Sequence, residues 1–281
     1  MSQAVPAGQP SLSAARHLDM VALRDALHAE WTKLRTIAGP AWLLVGTVAA
    51  TVAVSAAATA AARCPSGTAC LVDTTKLSLT GIQAGQAVVA ILAVLAISGE
   101  YSTGMIRITL AAMPHRSVVL AAKAVILAAL VLAAGAIAVG GSVLAGRILL
   151  PGHGFTVARG FPLESLADGP TLRAAAGSVL YLVLIALLSL GIATLIRDSA
   201  AAIGVVLGLL YLSPIILGVV TDPVWSHRFE RYAPMSAGLT IQDTTSLRGL
   251  AISPWGGLGV LAAWAAAALL AGGLLLRWRD A

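Results

Sequence analysis

Six apolar runs set the plan of this chain. They cover about 41–62, 80–98, 118–146, 172–196, 200–220 and 256–276, each near the roughly 20 residues with which an α-helix crosses a bilayer. The pattern predicts an all-α polytopic membrane protein with six transmembrane helices. The third run is long enough to tilt, or to carry an extra turn beyond the membrane. Only Arg197-Asp198-Ser199 separates the fourth run from the fifth, a tight charged hairpin that must sit at one membrane face. Six crossings place both termini on the same side.

The polar stretches between these runs carry patterns of their own. Residues 1–18 are rich in Ala, Pro, Ser and Gln and lack an apolar h-region, so they read as a disordered cytoplasmic tail and not as a signal peptide. Over 19–37 the spacing changes: Met20, Leu23, Leu27, Trp31 and Leu34 fall on one helical face and Arg24, Asp25, His28, Thr32 and Arg35 on the other. That predicts an amphipathic helix lying in the interface before the first span; the plainer alternative is a soluble helix packed on another domain. The stretch 99–116 (GEYSTGMIRITLAAMPHR) is the longest half-polar interruption with helical spacing. Ser102 and Thr103 stand there as candidate N-caps, and Met105, Ile106, Thr109 and Leu110 recur as one face. A short half-polar helix between two spans suits the membrane surface better than its interior. In 221–255, Trp225, Phe229 and Tyr232 alternate with His227, Arg228, Glu230 and Arg231 before Pro234, which predicts a short interfacial helix with an aromatic-belt role. A substrate-handling role for the same segment stays open.

Composition sharpens the class. The 281 residues are 58% hydrophobic and 11% charged, against about 25% charged in soluble domains. The net charge of +6 is modest and unclustered, which points away from a nucleic-acid partner and toward basic residues on the cytoplasmic side. With the N-terminus inside, ten Lys/Arg fall in the cytoplasm and eight outside. Lys33, Arg35, Arg116, Lys123, Arg277 and Arg279 crowd the span ends, where orientation is decided. Cys64 and Cys70 then lie in an exterior loop, where they can close a small disulfide ring across a Pro-Ser-Gly-Thr turn; two free thiols are the alternative.

Chemistry-bearing motifs are scarce. Charged residues are nearly absent from span interiors, whereas an ion-driven carrier usually places ionisable groups there. Gln83 and Gln86 are the main polar groups inside, with Glu100, Lys123 and Arg173 near span ends. The sequence has no GxxxxGK[ST] phosphate loop, no HExxH, no GxSxG and no zinc-like Cys/His spacing. No cofactor or metal is expected, and energy, where it is used, must come from a partner. Gly81/Gly85 and Gly204/Gly208 each put two glycines on one helix face and read as packing positions. Ser213-Pro214 should kink the fifth span.

The segment E-W-T-K-L-R-T (Glu30 to Thr36), the loop G-E-Y-S-T-G-M-I-R-I-T-L-A-A-M-P-H-R with Lys123 shortly after it, and the closing R-W-R-D (Arg277 to Asp280) stand in a definite order around six spans. Over about residues 19–280 this arrangement resembles the ABC-2 type permeases, the transmembrane subunits of ATP-binding-cassette exporters, particularly Ala-rich actinobacterial forms. The resemblance implies a homo- or heterodimer of six-helix halves in the bacterial plasma membrane, with two separately encoded ATPase subunits beneath and both termini cytoplasmic. It implies a coupling helix in the first cytoplasmic loop that meets the ATPase through Glu100, Tyr101, Ser102, Thr103 and Arg107, and a smaller contact at Arg197 and Asp198. It also implies a cargo path between the halves, lined by the second and fifth spans. Apolar spans fit a small hydrophobic or amphiphilic cargo. A chain of this kind is not itself an enzyme. The competing classes are an ATPase-independent membrane scaffold or sensor and, without a nucleophile–base or metal set to support it, an intramembrane enzyme.

Overall fold

The computed structural model describes residues 24–33, 36, 38–65, 70, 72–102, 104–105, 116–161, 165–219, 222–245 and 247–278. In chain order these form α1 (24–33), α2 (Ala38–Ala61), α3 (Thr74–Ser78), α4 (Ile82–Ser102), α5 (Arg116–Leu149), α6 (Gly169–Ile196), α7 (Ser199–Val219), α8 (Pro223–Tyr232), α9 (Pro234–Leu239) and α10 (Pro254–Trp278), with short 3-10 turns between them. No strand occurs among the described residues. Helices α2, α4, α5, α6, α7 and α10 are long and apolar enough to cross a membrane, and they follow the six apolar runs to within a few residues at each end. Helix α5, at 34 residues, is about 50 Å long and overshoots the hydrocarbon layer.

Helix α6 is the central column. It packs on α4, α5, α7 and α10, and Tyr181, Leu182, Ile185, Ala186, Leu188, Leu190 and Ala193 are fully buried along it. Small residues permit this crowding: a Cβ on Gly191 would strike the backbone of Ala268 and Leu269 in α10, and one on Gly177 would strike the Ile241 side chain. In lipid, where apolar surface gains little by being covered, such close approach is what holds helices together.

Helix α2 meets α4 through a polar stripe. Thr47, Thr51, Ser55 and Thr59 recur every fourth residue and are all buried. Thr47, Thr51 and Thr59 donate to the carbonyls one turn back, and Ser55 Oγ accepts from the Gly81 N–H at 3.1 Å. Across the seam, a Cβ on Gly81 would be driven into the Thr51 carbonyl oxygen, and one on Gly85 into the Thr51 hydroxyl. The second glycine pair behaves differently. Among the described residues, nothing lies within 4 Å of a Cβ built on Gly204 or Gly208 of α7. Helix α7 runs on through Pro214 to Val219.

The segment after α7 folds back as two helices. Asp222 caps α8 by accepting from the Val224 N–H at 2.8 Å, and Pro223 occupies the first turn, where its missing donor costs nothing. A short helix stands where one was expected, and Pro234 opens α9 as well as ending α8. Exposed tryptophans mark both ends of the bundle: Trp31, Trp42 and Trp278 at one, Trp225 and Trp255 at the other, as aromatic belts do at the two membrane–water interfaces.

The glycines separate cleanly in a stability assay. Gly81→Ala should lower thermal stability in detergent by about 2 kcal/mol or more, since the backbone of α2 has to move. Gly204→Ala should be neutral or raise stability by up to about 1 kcal/mol through helix propensity. Equal effects in paired melts would refute the assigned seam.

Candidate functional site

Four charged side chains meet where α1, α4 and α5 converge. Lys123 Nζ lies 2.7 Å from Glu30 Oε2 and 3.1 Å from Glu100 Oε1; Lys33 Nζ lies 2.9 Å from the same Glu100 oxygen and 3.1 Å from Glu30 Oε1. Two carboxylates and two ammoniums thus close a ring with no net charge. Glu30, Glu100 and Lys123 are each less than a tenth exposed. Isolated ions at such a place cost several kcal/mol each, and only full pairing offsets that.

Each corner has a local reason. On α1, Ala26, Glu30 and Lys33 fall on one face by their helical spacing, and this face turns toward the bundle while Trp31 stays half exposed. The helix therefore docks by a strip that flanks its apolar stripe, because the bundle offers Glu30 and Lys33 the partners Glu100 and Lys123, while Arg24, Asp25, His28 and Thr32 stay exposed. Lys123 sits two turns into α5 and Glu100 in the last turn of α4. Burial by itself would lower the Lys33 pKa, but hydrogen bonds and attraction from Glu100 and Glu30 outweigh it and hold the ammonium above its ordinary value.

The segments expected to carry coupling come together at this same end. The Arg197 guanidinium lies 5.3 Å from the centre of the Tyr101 ring, in range for a cation–π contact, and links the α6–α7 turn to the end of α4. Arg197 holds φ +64° and closes α6 in the left-handed conformation, which glycine usually supplies. Asp198 is exposed and accepts from the Ala201 N–H at 2.7 Å at the start of α7. Ser102 is the last residue of α4, inside the spanning helix. Thr103 and Arg107 lie outside the described residues. Glu30, Lys33 and Lys123 were not singled out as site residues in the sequence; the one local hint was an i, i+3 Glu–Lys pair.

A second polar cluster clasps the opposite end. Asp73 caps α3 through the Lys76 N–H at 3.0 Å and also accepts from the N–H and hydroxyl of both Thr244 and Thr245. Burial would raise its pKa, but these donors outweigh that and hold the carboxyl below its usual value. Lys76 Nζ pairs with Asp243 Oδ1 at 2.6 Å, and Arg173 donates to the Asp243 carbonyl. Cys64 and Cys70 are joined as a disulfide with Cα atoms 6.0 Å apart, and the Cys64 N–H donates to the His153 carbonyl at 3.0 Å. Inside the bundle at this end, Tyr181 donates to Gln86 Oε1, Gln86 Nε2 reaches Met235 Sδ at 3.2 Å, and Tyr211 donates to the Gln83 carbonyl. A groove of about 400 Å³ opens nearby, lined by Gly208, Leu212, Trp225, Phe229, Tyr232 and Trp264 among others. Among the described residues no group of three His, Cys, Asp or Glu side chains is placed to hold a metal ion.

In comparisons with known proteins, no family model and no curated protein matches this chain.

Two tests follow from these clusters. Lys123→Met leaves two buried carboxylates with one partner and should cost about 3–5 kcal/mol, read as a lower melting temperature in detergent; a loss below about 1 kcal/mol would contradict a buried ring. The pH limits have opposite signs. The Lys33 contribution is fully present below an unfolded value of about 10.4 and fades as pH rises through its higher folded value. That of Asp73 is present above about 3.9 and fades as pH falls through its lower folded value. Lys33→Met should flatten the alkaline limb of a melting-temperature profile and Asp73→Asn the acid limb.

Proposed function

We propose that this chain is the membrane-spanning permease subunit of an ATP-binding-cassette exporter, one half of a homo- or heterodimer in a bacterial plasma membrane. Both termini and the α1 end face the cytoplasm, and ATP is hydrolysed by separate subunits below. The cargo is a small hydrophobic or amphiphilic compound, for which the aromatic groove beside α7 offers a surface of matching chemistry. The chain itself is not an enzyme.

The observation that carries this reading is the convergence on one end of the bundle. The charge ring fastens α1, α4 and α5, and the Tyr101–Arg197 contact adds the α6–α7 turn. In the chain, residues 103–115 connect the end of α4 to the start of α5. A push on that segment would reach four spanning helices through short, stiff links, as rigid-body rocking of helix bundles requires. In this scheme Arg107 and the exposed Asp198 meet the ATPase, with Thr103 and Ser102 beside them. Glu100 and Tyr101 hold the coupling segment to the bundle. A ring that compensates itself completely also suits a static scaffold or sensor, and that is the second reading.

Affinity purification of the full chain in mild detergent separates the two. The exporter reading expects a stoichiometric P-loop ATPase in the eluate, weakened about tenfold or more by Arg107→Glu with the melting temperature unchanged. Eluates free of ATPase across several detergents would leave the scaffold or sensor.

A further inference from the structure

The charge ring has one unspent acceptor, on a side chain that also lines a cavity. Glu100 Oε1 receives both lysines, while Glu100 Oε2 is buried and, among the described residues, has no hydrogen-bond partner. A buried carboxylate oxygen without a donor is costly, so the site calls for one. Glu100, Glu30, Lys33 and Lys123 form the polar end of a cavity of about 340 Å³, a size typical of small-ligand sites. The rest of its wall is apolar, from Leu43 on α2, Leu92 and Leu95 on α4, and Ile126, Leu127 and Leu130 on α5. Leu95 and Met105 line it and are also exposed, at 42% and 41%, so the cavity opens on the outer side of the helices.

We propose that this cavity is a binding site for one phospholipid with a primary ammonium headgroup, of the phosphatidylethanolamine class, drawn from the leaflet on the α1 side. The ammonium donates to Glu100 Oε2. The phosphate is met by Lys33, which spends two of its three donors on the carboxylates and keeps a quarter of its side chain exposed. The upper part of an acyl chain lies along the leucines. Charge selects the headgroup. The ring sums to zero, so a zwitterion enters without adding net charge to a poorly solvated site, whereas an anionic lipid brings a surplus. A choline headgroup is also zwitterionic but has no N–H to give Glu100. The lipid becomes a fourth element fastened to α1, α4 and α5. This inference stands on the cavity and the orphaned oxygen, and does not depend on the exporter reading.

The test uses the full chain in mild detergent with defined palmitoyl-oleoyl lipids carrying ethanolamine, choline or glycerol headgroups, and reads retained lipid by native mass spectrometry. Ethanolamine lipid should be retained about tenfold better than choline lipid, the scale of one charge-assisted hydrogen bond. Gly99→Leu fills the cavity without touching the ring: Gly99 lines the cavity, and a Cβ built on it meets nothing within 4 Å. This variant should lose the preference while melting no lower than wild type in lipid-free detergent. Leu95→Trp, at the mouth, should do the same from the other side and serves where Gly99→Leu folds poorly. Equal retention of the ethanolamine and choline lipids would overturn the proposal, as would a preference that survives both variants. Displacement of the bound lipid by glycerophosphoethanolamine, which has the headgroup without the chains, would overturn the assignment to a lipid.

Discussion

A charged side chain inside a membrane protein has to find its opposite, because the surrounding medium will not solvate it. At the α1 end of this molecule that requirement is met by four residues drawn from three helices. Glu30 and Lys33 come from α1, Glu100 from the end of α4 and Lys123 from the start of α5. Since each lysine touches both carboxylates, losing any member leaves the buried charges of the other three unbalanced. The ring therefore settles how α1 lies, where α4 ends and how α5 begins. An amphipathic helix at a membrane surface would ordinarily be held by its apolar face; here the strip of Ala26, Glu30 and Lys33 that flanks this face docks, the polar positions Arg24, Asp25, His28 and Thr32 stay exposed, and Trp31 is left outward.

Away from the ring, the bundle is held by closeness and by neutral hydrogen bonds. Helix α6 is buried on most sides, and glycines at its crossings bring backbones within reach of each other. The threonine–serine stripe of α2 satisfies most of its hydroxyls within its own helix and offers Ser55 to Gly81. At the far end, Asp73 gathers donors from Lys76, Thr244 and Thr245, while Asp243 receives Lys76 and Arg173. Each end is thus cross-tied by charge, and the middle by shape. This division suits a body that moves as a whole, and the half-polar segment 103–115 is attached at the more strongly tied end.

The number of spanning helices, their bounds to within a few residues and the all-α class were legible in the residues alone. A run of about 20 apolar side chains is decided by its own composition in lipid, where the backbone must hydrogen-bond within the segment. The Asp222-Pro223 start of α8 was equally local, a cap and a proline acting within one turn. Cys64 and Cys70, six positions apart, were close enough in sequence to be weighed as a pair.

Tertiary structure decided everything that depends on which side of a helix meets which neighbour. Gly81 and Gly204 open identical GxxxG patterns, yet one faces the α2 backbone and the other meets nothing among the described residues. Glu30 and Lys123 are separated by 93 positions and Lys33 and Glu100 by 67, and no periodicity in α1 foretells that Glu30 and Lys33 turn inward. The physical reason is the range of the forces. Hydrophobic length and capping act within a helix, so the sequence carries them position by position. Charge pairing and backbone approach act between helices, and exist only once the bundle has brought distant turns to the same depth.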